Sequence, residues 1–255
     1  MELLVLGCSG GIGEDLRTTT FLLDDDVLID AGTGVGDLNL DQMKKLRHIF
    51  LTHSHLDHIT GIPLLVDTVF GSHGDEPIVI HAQEVTINAL RAHVFNNIIW
   101  PDFALLPNRE KPAIRYQAMV PGEIYQLGDR RIEMITVNHI VPGVAYRIET
   151  STGVFAFSGD TSTTDHLWQR LNEYDKLDLL FVESAFANKD QHLSKLAGHY
   201  CPETLAVDLA KLTHQAEIYL SHANPGDEEL IFQECQKAIT SHEIKSLKGK
   251  MHFTV

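Results

Sequence analysis

The sequence lacks a long apolar run, a cysteine framework and an excess of positive charge. No apolar stretch in the 255 residues approaches the roughly 18 residues that a membrane span needs. The N-terminus also lacks the basic and apolar segments of a secretion signal. We therefore expect a soluble, cytoplasmic protein with no membrane partner. Cys8, Cys201 and Cys235 are an odd number without metal-type spacing, which disfavours both a disulfide framework and a zinc–cysteine site.

Positive charge is scarce, with 20 Lys and Arg against 35 Asp and Glu and a net charge of −15 when histidine is neutral. Proteins that bind long polyanions gain affinity from cationic side chains that release counterions from phosphates. That attraction is missing over the chain as a whole, so nucleic acid is disfavoured as a partner. The composition, 44% hydrophobic and 22% charged, is that of a globular protein. We interpret residues 1–255 as a single domain of two packed halves, with a soft division near residue 130, and leave a homodimer open.

Short apolar runs bounded by Gly, Asp or Ser predict strands, and segments with apolar residues three or four apart predict helices. The predicted strands are Leu3–Leu6, Thr19–Leu23, Val27–Ile29, Ile49–Leu51, Ile78–Ile80, Ile114–Met119, Arg131–Val137, Val144–Glu149, Val154–Phe157, Leu177–Val182 and Ile218–Leu220. The predicted helices are Leu40–Leu46, Ile59–Val69, Val85–Val94, His166–Leu171, Pro202–Leu212 and Glu228–Ile239. The four strands from Ile114 to Phe157 look antiparallel, and later strands alternate with helices. This order predicts an α/β (α+β) fold of mixed sheets covered by helices.

The densest group of chemically useful side chains is Thr52–His58, directly after the strand Ile49–Leu51. Its four potential metal ligands are His53, His55, Asp57 and His58. Alternate residues of an extended segment point the same way, so the first two histidines can share one cation. The aspartate and last histidine, at the start of a helix, can reach a second. Imidazole and carboxylate suit zinc and its first-row neighbours, and burying four titratable groups without a metal would be costly.

Three further ligand types follow other predicted strands: His139, Asp160 and His222. Strand ends are where the loops of an α/β sheet converge on a ligand crevice. The combination gives seven ligands, enough for two cations if Asp160 bridges them.

With these residues the chain resembles the metallo-β-lactamase fold superfamily. The resemblance implies a four-layer αββα sandwich of two mixed sheets with helices outside and a dinuclear site at one edge. It assigns His53, His55 and His139 to one ion and Asp57, His58 and His222 to the other, with Asp160 between them. The glycine-rich Gly7–Gly11 and the turn Leu28–Gly32 also fit, and the resemblance implies that Asp30 orients the histidine loop.

Within the superfamily, His53–Ile62 is similar to the signature of class II cyclic-nucleotide phosphodiesterases, as are Asp30–Gly34 and Ile99–Phe103. The chain departs from that signature at Pro63 and Val66. This resemblance implies hydrolysis of a small cyclic phosphodiester, a 3′,5′-cyclic nucleotide such as cAMP, by a hydroxide activated by two divalent ions. We expect zinc, with manganese and iron as alternatives.

The tRNA 3′-end processing endonucleases are a competing resemblance. Gly198–Tyr200 is similar to their Gly-His-Ser/Thr element, and Glu183–Phe186 is similar to their Glu-Ala-Thr segment. In that family the His and Glu act together on the scissile phosphate. We therefore name His199, supported by Glu183, as the candidate general acid and add Asp57 to the catalytic group. The net charge and the absence of a basic RNA-gripping insertion favour a small diester over tRNA.

Other chemistries use the same histidine cluster. Thioester hydrolases of the glyoxalase II type usually carry a C-terminal helical extension with basic residues, whereas this chain ends about thirty residues after His222. Diiron redox proteins tend to replace a cluster histidine with a carboxylate and to append a flavin domain. A scaffold that has lost catalysis is the non-enzymatic alternative, and the presence of all seven ligands argues against it.

Overall fold

The computed structural model describes residues 1–72 and 76–255, which form two seven-stranded mixed sheets. The strands are β1 (Glu2–Gly7), β2 (Thr20–Leu23), β3 (Val27–Ile29), β4 (His48–Phe50), β5 (Ile78–Ala82), β6 (Ile114–Ala118), β7 (Ile124–Leu127), β8 (Arg130–Val137), β9 (Gly143–Glu149), β10 (Val154–Phe157), β11 (Leu179–Glu183), β12 (Glu217–Ser221), β13 (Ile244–Ser246) and β14 (His252–Thr254). The first sheet has the order β14-β1-β2-β3-β4-β5-β6, and the second has the order β13-β12-β11-β10-β9-β8-β7.

The helices lie between the strands in sequence. They are α1 (Leu40–Met43), α2 (Leu56–Ile59), α3 (Gly61–Thr68), α4 (Glu84–His93), α5 (Asp165–Asn172), α6 (Gln191–Ala197), α7 (Pro202–Leu209) and α8 (Glu228–Ala238). Helix α7 begins at Pro202, as predicted, because a first-turn proline lacks only an N–H that would be unpaired there. Among the described residues, no helix has the length and apolar character needed to cross a bilayer.

Three apolar layers hold the sheets and helices together. Along β1, Leu3 and Val5 pack between the two sheets, whereas Leu6 packs on the helix-covered outer face of the first sheet. Strand β10 does the same in the second sheet, since Phe155 points between the sheets and Ala156 points towards the outer helices. Alternation along a strand sends successive side chains to opposite faces. Both faces of each sheet are therefore covered, and the predicted αββα sandwich is confirmed.

Several local predictions were wrong. Strand β6 pairs parallel with β5 rather than joining the later strands in an antiparallel group. The helix predicted over Ile59–Val69 already begins at Leu56 and is divided at Thr60 into α2 and α3. Helix α6 and strands β7, β13 and β14 were not predicted. Strands β7 and β14 are partly exposed edge strands, so the apolar pattern that marks a buried strand is weak in them.

The strand directions bring the loops that carry the predicted ligands to one edge of the sandwich. Strands β3, β4 and β5 run parallel in the first sheet, and β10, β11 and β12 run parallel in the second. Strand β8 runs in the same direction as β10, because both are antiparallel to β9. The residues that directly follow these strands therefore converge, as the carboxyl ends of parallel strands do.

Candidate metal centre

Seven predicted ligands meet at this edge in two overlapping groups. One group contains His53, His55, His139 and Asp160, and the other contains Asp57, His58, Asp160 and His222. Within each group the ligand atoms all lie within 4.8 Å of one another. Asp160 belongs to both, which is the arrangement that a bridging carboxylate needs. The side chains of the His53–His58 loop divide between the two groups, with His53 and His55 in one and Asp57 and His58 in the other.

A buried carboxylate, Asp30, fixes the orientation of the loop histidines. Its Oδ2 accepts from Nδ1 of His58 at 2.6 Å and from the hydroxyl of Thr52 at 2.9 Å, and its Oδ1 accepts from the Thr52 amide at 2.8 Å. Since the Thr52 hydroxyl donates its only hydrogen to Asp30, it accepts from Nδ1 of His53 at 2.9 Å. Both histidines are therefore left with Nε2 as the free ligand atom.

The other histidines are held by different partners. Nδ1 of His139 donates to the carbonyl of Gly198 at 2.8 Å, so its Nε2 carries the lone pair that a cation would need. Nδ1 of His222 lies 3.3 Å from the Thr19 hydroxyl. His55 is the exception, because its Nδ1 faces Nε2 of His139 at 3.1 Å. Neither threonine was predicted as a partner. Thr52 could have been noticed as a hydroxyl directly before the first histidine, whereas nothing local marks Thr19.

The donor atoms fit cations better than they fit one another. Nε2 of His53 and Oδ1 of Asp160 are buried and form no hydrogen bond with any described residue. Nε2 of His58 and Nε2 of His222 lie 3.2 and 3.3 Å from Oδ2 of Asp160. A buried polar atom without a partner is costly, and a cation between these atoms would supply the partner. Imidazole nitrogens and carboxylate oxygens suit a pair of first-row divalent ions.

The turn that carries Asp160 requires glycine before it. Gly159 has a φ of +58°, and a Cβ there would lie 2.6 Å from the carbonyl oxygen of Val144. Only glycine adopts this conformation without strain and without that clash. The close approach of this turn to β9 places Asp160, which is 2% exposed, where it belongs to both ligand groups.

Charge at the centre is set by competition between burial and neighbouring groups. Burial by itself lowers the pKa of His58, but the carboxylates of Asp160 and Asp30 outweigh it and raise that pKa well above its usual value. Burial and the nearby His58 hold the pKa of His53 well below its usual value. Burial opposes ionisation of Asp160, yet His222 and His58 lower its pKa well below the usual range. These surroundings therefore favour an ionised Asp160.

A second pair, His199 and Glu183, lies beside these groups. Nδ1 of His199 donates to Oε1 of the buried Glu183 at 2.8 Å, and the same oxygen accepts from the amide of Thr161 at 2.9 Å. The His199 ring is stacked on His222 with the centroids 5.4 Å apart. Burial lowers the pKa of His199, but Glu183 outweighs this and raises it to about 9. The pair is adjacent to the candidate ligands without being among them.

Two cavities lie near the site edge. A cleft of about 670 Å³ includes His139 and His199 in its wall and opens onto the candidate centre. Another cavity, of about 540 Å³, lies beside the glycine-rich loop at Gly7 and includes none of the seven ligands. Of these two cavities, the cleft is therefore the one that borders the candidate centre. Phe103, in the Ile99–Phe103 motif, is buried against Phe70 and Phe95 and supports the core.

The two-sheet sandwich and the histidines and aspartates at its edge define the class of protein. It is a double-sheet scaffold with a metallohydrolase-type centre. The chain belongs to the β-lactamase superfamily domain family, whose pattern matches residues 25–223.

Its relatives include phosphodiesterases. The protein from Yersinia pestis named "Probable 3′,5′-cyclic-nucleotide phosphodiesterase" is 28% identical over 222 residues, which cover 78% of this chain and 62% of that protein. The chain thus spans less than two thirds of that relative's length. The crystal structure of unliganded yeast PDE1 superposes with a TM-score of 0.81 at 17% identity, covering 98% of both chains. Human tRNase Z, short form, superposes with a TM-score of 0.71 at 17% identity, covering 100% of this chain and 99% of that one. At these identities the structural matches show the fold alone.

Proposed function

We propose that the protein is a metal-dependent phosphodiesterase that hydrolyses a small cyclic phosphodiester, a 3′,5′-cyclic nucleotide such as cAMP. The observation that carries the proposal is the pair of ligand groups sharing Asp160, with the hydrogen-bonded His199 and Glu183 beside them. A sequence relative named as a cyclic-nucleotide phosphodiesterase supports the choice of substrate.

In this proposal His53, His55 and His139 would hold one ion, Asp57, His58 and His222 would hold the other, and Asp160 would serve both. Two divalent ions, zinc or alternatively manganese or iron, would lower the pKa of the attacking water and offset charge on the phosphate when bound. The side chain of Asp57 is 30% exposed, more than those of the buried ligands His58 and Asp160. It therefore lies on the solvent side of the second group, where it can orient the attacking water.

His199 is the proposed general acid. Because Nδ1 donates to Glu183, Nε2 is the ring nitrogen left to transfer a proton. Its pKa of about 9 keeps the ring protonated at neutral pH, the state that an acid needs to protonate a leaving ribose oxygen. Glu183 acts by positioning the ring and stabilising its charge.

A tRNA-processing endonuclease is the second candidate, favoured by the same His199–Glu183 pair and by ribonuclease Z relatives such as that of Methanopyrus kandleri, 29% identical over 152 residues. The net charge of −15 opposes it, since two dications would reduce that charge only to −15 + 4 = −11. A polyanion would still be repelled away from the site, whereas a cyclic mononucleotide brings a single charge.

The test is a comparison of kcat/KM values at matched ionic strength on metal-loaded protein. The panel contains cAMP, cGMP, 2′,3′-cyclic nucleotides, bis(p-nitrophenyl) phosphate, a precursor tRNA and S-lactoylglutathione. We expect a cyclic nucleotide to give the highest value. Preferred 3′-end cleavage of the tRNA would support the second candidate, and turnover of the thioester alone would overturn phosphodiester chemistry.

His199→Asn tests the acid. We expect turnover of the cyclic nucleotide to fall by roughly 10² to 10⁴, the usual contribution of a general acid, with metal content unchanged. Bis(p-nitrophenyl) phosphate should lose much less, because p-nitrophenolate leaves without protonation. His166→Asn, at an exposed histidine on α5, is the matched control. Equal losses on both substrates, or loss of metal, would remove the acid role.

A further inference from the structure

The cleft beside the candidate metal centre has the size of a small-ligand site. Its volume of about 670 Å³ lies within the roughly 300 to 1,000 Å³ of typical ligand pockets. Its lining includes Gln191 and Lys195 of α6 and Asn138 of the loop after β8. His139 and His199 belong to its lining, so the cleft is continuous with the proposed reaction site.

The charge of the cleft differs from that of the chain. Within the described ranges, none of its lining residues is Asp or Glu, although the sequence contains 35 acidic residues. The lining does contain Lys195 and His192. Outside the lining, the carboxylate of Glu203 accepts from the side-chain Nε2 of Gln191 at 3.3 Å. A ligand in the cleft therefore meets the ammonium group of Lys195 and no carboxylate among the lining residues, on a protein that is acidic overall.

Lys195 is available to a ligand. Among residues 1–72 and 76–255 its ammonium group has no ion-pair or hydrogen-bond partner, and the side chain is exposed. Other lysines nearby are engaged: Lys189 pairs with Asp227 at 2.8 Å, and Lys211 pairs with Asp165 at 2.6 Å. An unpaired lysine gains a charge-assisted hydrogen bond when a phosphate reaches it.

The helix that carries Lys195 is fixed against the candidate centre. Helix α6 is followed by Gly198, whose φ is +73° and whose added Cβ would lie 2.9 Å from the amide nitrogen of Ile140. The carbonyl of Gly198 accepts from Nδ1 of His139 at 2.8 Å, and the Ser194 hydroxyl donates to the carbonyl of His199 at 2.8 Å. These contacts hold the last turn of α6 beside a candidate ligand, so the position of Lys195 is set by packing rather than by a free loop.

We infer that Lys195 binds a second phosphate of the substrate, carried on its non-reacting part, while the cyclic diester occupies the histidine–aspartate centre. The preferred substrates are then small cyclic phosphodiesters that bear an additional phosphomonoester. The inference rests on the proposed phosphodiesterase function, and it adds a specificity residue that takes no part in the chemical step.

The test uses two substrate pairs, each differing by one phosphate: adenosine 2′,3′-cyclic phosphate with and without a 5′-phosphate, and adenosine 3′,5′-cyclic phosphate with and without a 2′-phosphate. In at least one pair we expect the wild-type kcat/KM to favour the doubly phosphorylated member by about tenfold, mainly through KM, as a hydrogen bond to a charged group would give. Added salt should reduce the preference.

Lys195→Met should abolish the preference and leave kcat for the singly phosphorylated member unchanged, while Lys195→Arg should retain most of it. Lys237→Met is the matched control, because Lys237 is exposed on α8 and has no ion pair with a described residue. Its variant should behave like the wild type.

The inference is overturned if the wild-type protein shows no preference in either pair, or if Lys195→Met keeps it. Hydrolysis of the cyclic diesters without a Lys195-dependent preference would leave the proposed function intact. Failure to hydrolyse any of the four would instead refute the proposed function, and the inference with it.

Discussion

Two buried histidine groups in this protein face opposite electrostatic surroundings. At the site edge, His58 is fully buried, and the carboxylates of Asp160 and Asp30 raise its pKa well above the usual value against the effect of burial. Between the sheets, His81 is equally buried and stacks on Phe50 with the ring centroids 4.2 Å apart. Burial, helped by His48, lowers the pKa of His81 to about 3.

The comparison shows that burial alone does not make a histidine functional. His81 interacts through Nε2 with Nδ1 of His48 at 2.9 Å, and its own Nδ1 has no hydrogen-bond partner among the described residues. Without a carboxylate partner the ring stays neutral and serves as packing. At the site edge the carboxylates both orient the rings and stabilise positive charge, which is also what a bound cation requires.

The largest effect is expected from Asp160→Ala, which removes the carboxylate shared by both ligand groups. The wild type should contain close to two metal ions per chain, and the variant should contain fewer. Activity should fall by more than the roughly 10- to 100-fold that loss of an outer hydrogen-bond partner causes. Elemental analysis and steady-state kinetics measure the two effects. Asp165→Ala, at an exposed aspartate, is the control, and full metal occupancy in the Asp160 variant would contradict the bridging role.

A smaller effect is expected from Asp30→Asn, because the backbone N–H of Thr52 will hold the one remaining oxygen and the new NH2 group will face Nδ1 of His58 in place of an acceptor. The His58 ring can then adopt the other tautomer, with the proton on its ligand nitrogen. Metal affinity should fall by roughly 10- to 100-fold, as measured by competition with a chromogenic chelator. Asp37→Asn, at a partly exposed aspartate paired with Arg17, should leave the affinity unchanged. An unaltered affinity in the Asp30 variant would mean that this carboxylate supports only the fold.

The smallest effect on activity is expected from His81→Phe, which tests the other histidine group. The folded-state pKa of His81 is about 3, below the roughly 6.5 of an unfolded histidine. As pH falls from 6.5 towards 3, the unfolded chain binds a proton that the folded chain does not, so the folded state loses stability. Between pH 7.5 and pH 4.5, His81 should cost the wild type about 2 to 3 kcal/mol of its free energy of unfolding. The His81→Phe variant should not show this part of the loss.

Urea unfolding at pH 7.5 and pH 4.5 measures this difference, and His242→Phe, at a histidine outside the core, provides the control. An unchanged acid sensitivity in His81→Phe would show that His81 does not resist protonation. Activity at pH 7.5 should remain close to that of the wild type, since His81 belongs to neither ligand group.

The elements predicted best are those with a strong local pattern. Strands β3 and β10 have the predicted bounds, and α7 begins at the predicted proline. Helix α6 was missed because it is seven residues long and its exposed leucines, Leu193 and Leu196, do not form an inward face. Strand β6 was placed in the wrong group because an apolar run carries no information about the direction of its partner.

The sequence by itself determined the donor chemistry at the site edge, because four ligand types within six residues and three more after strands leave few alternatives to a metal centre. Only the tertiary structure decided how those donors are oriented and charged. Thr19 lies 203 residues from its partner His222, and Gly198 lies 59 residues from His139. The tertiary structure likewise decided that Lys195 lies in the cleft and that His81 is buried and neutral. Hydrogen-bond partners and burial depend on which distant segments meet, and local spacing does not encode that meeting.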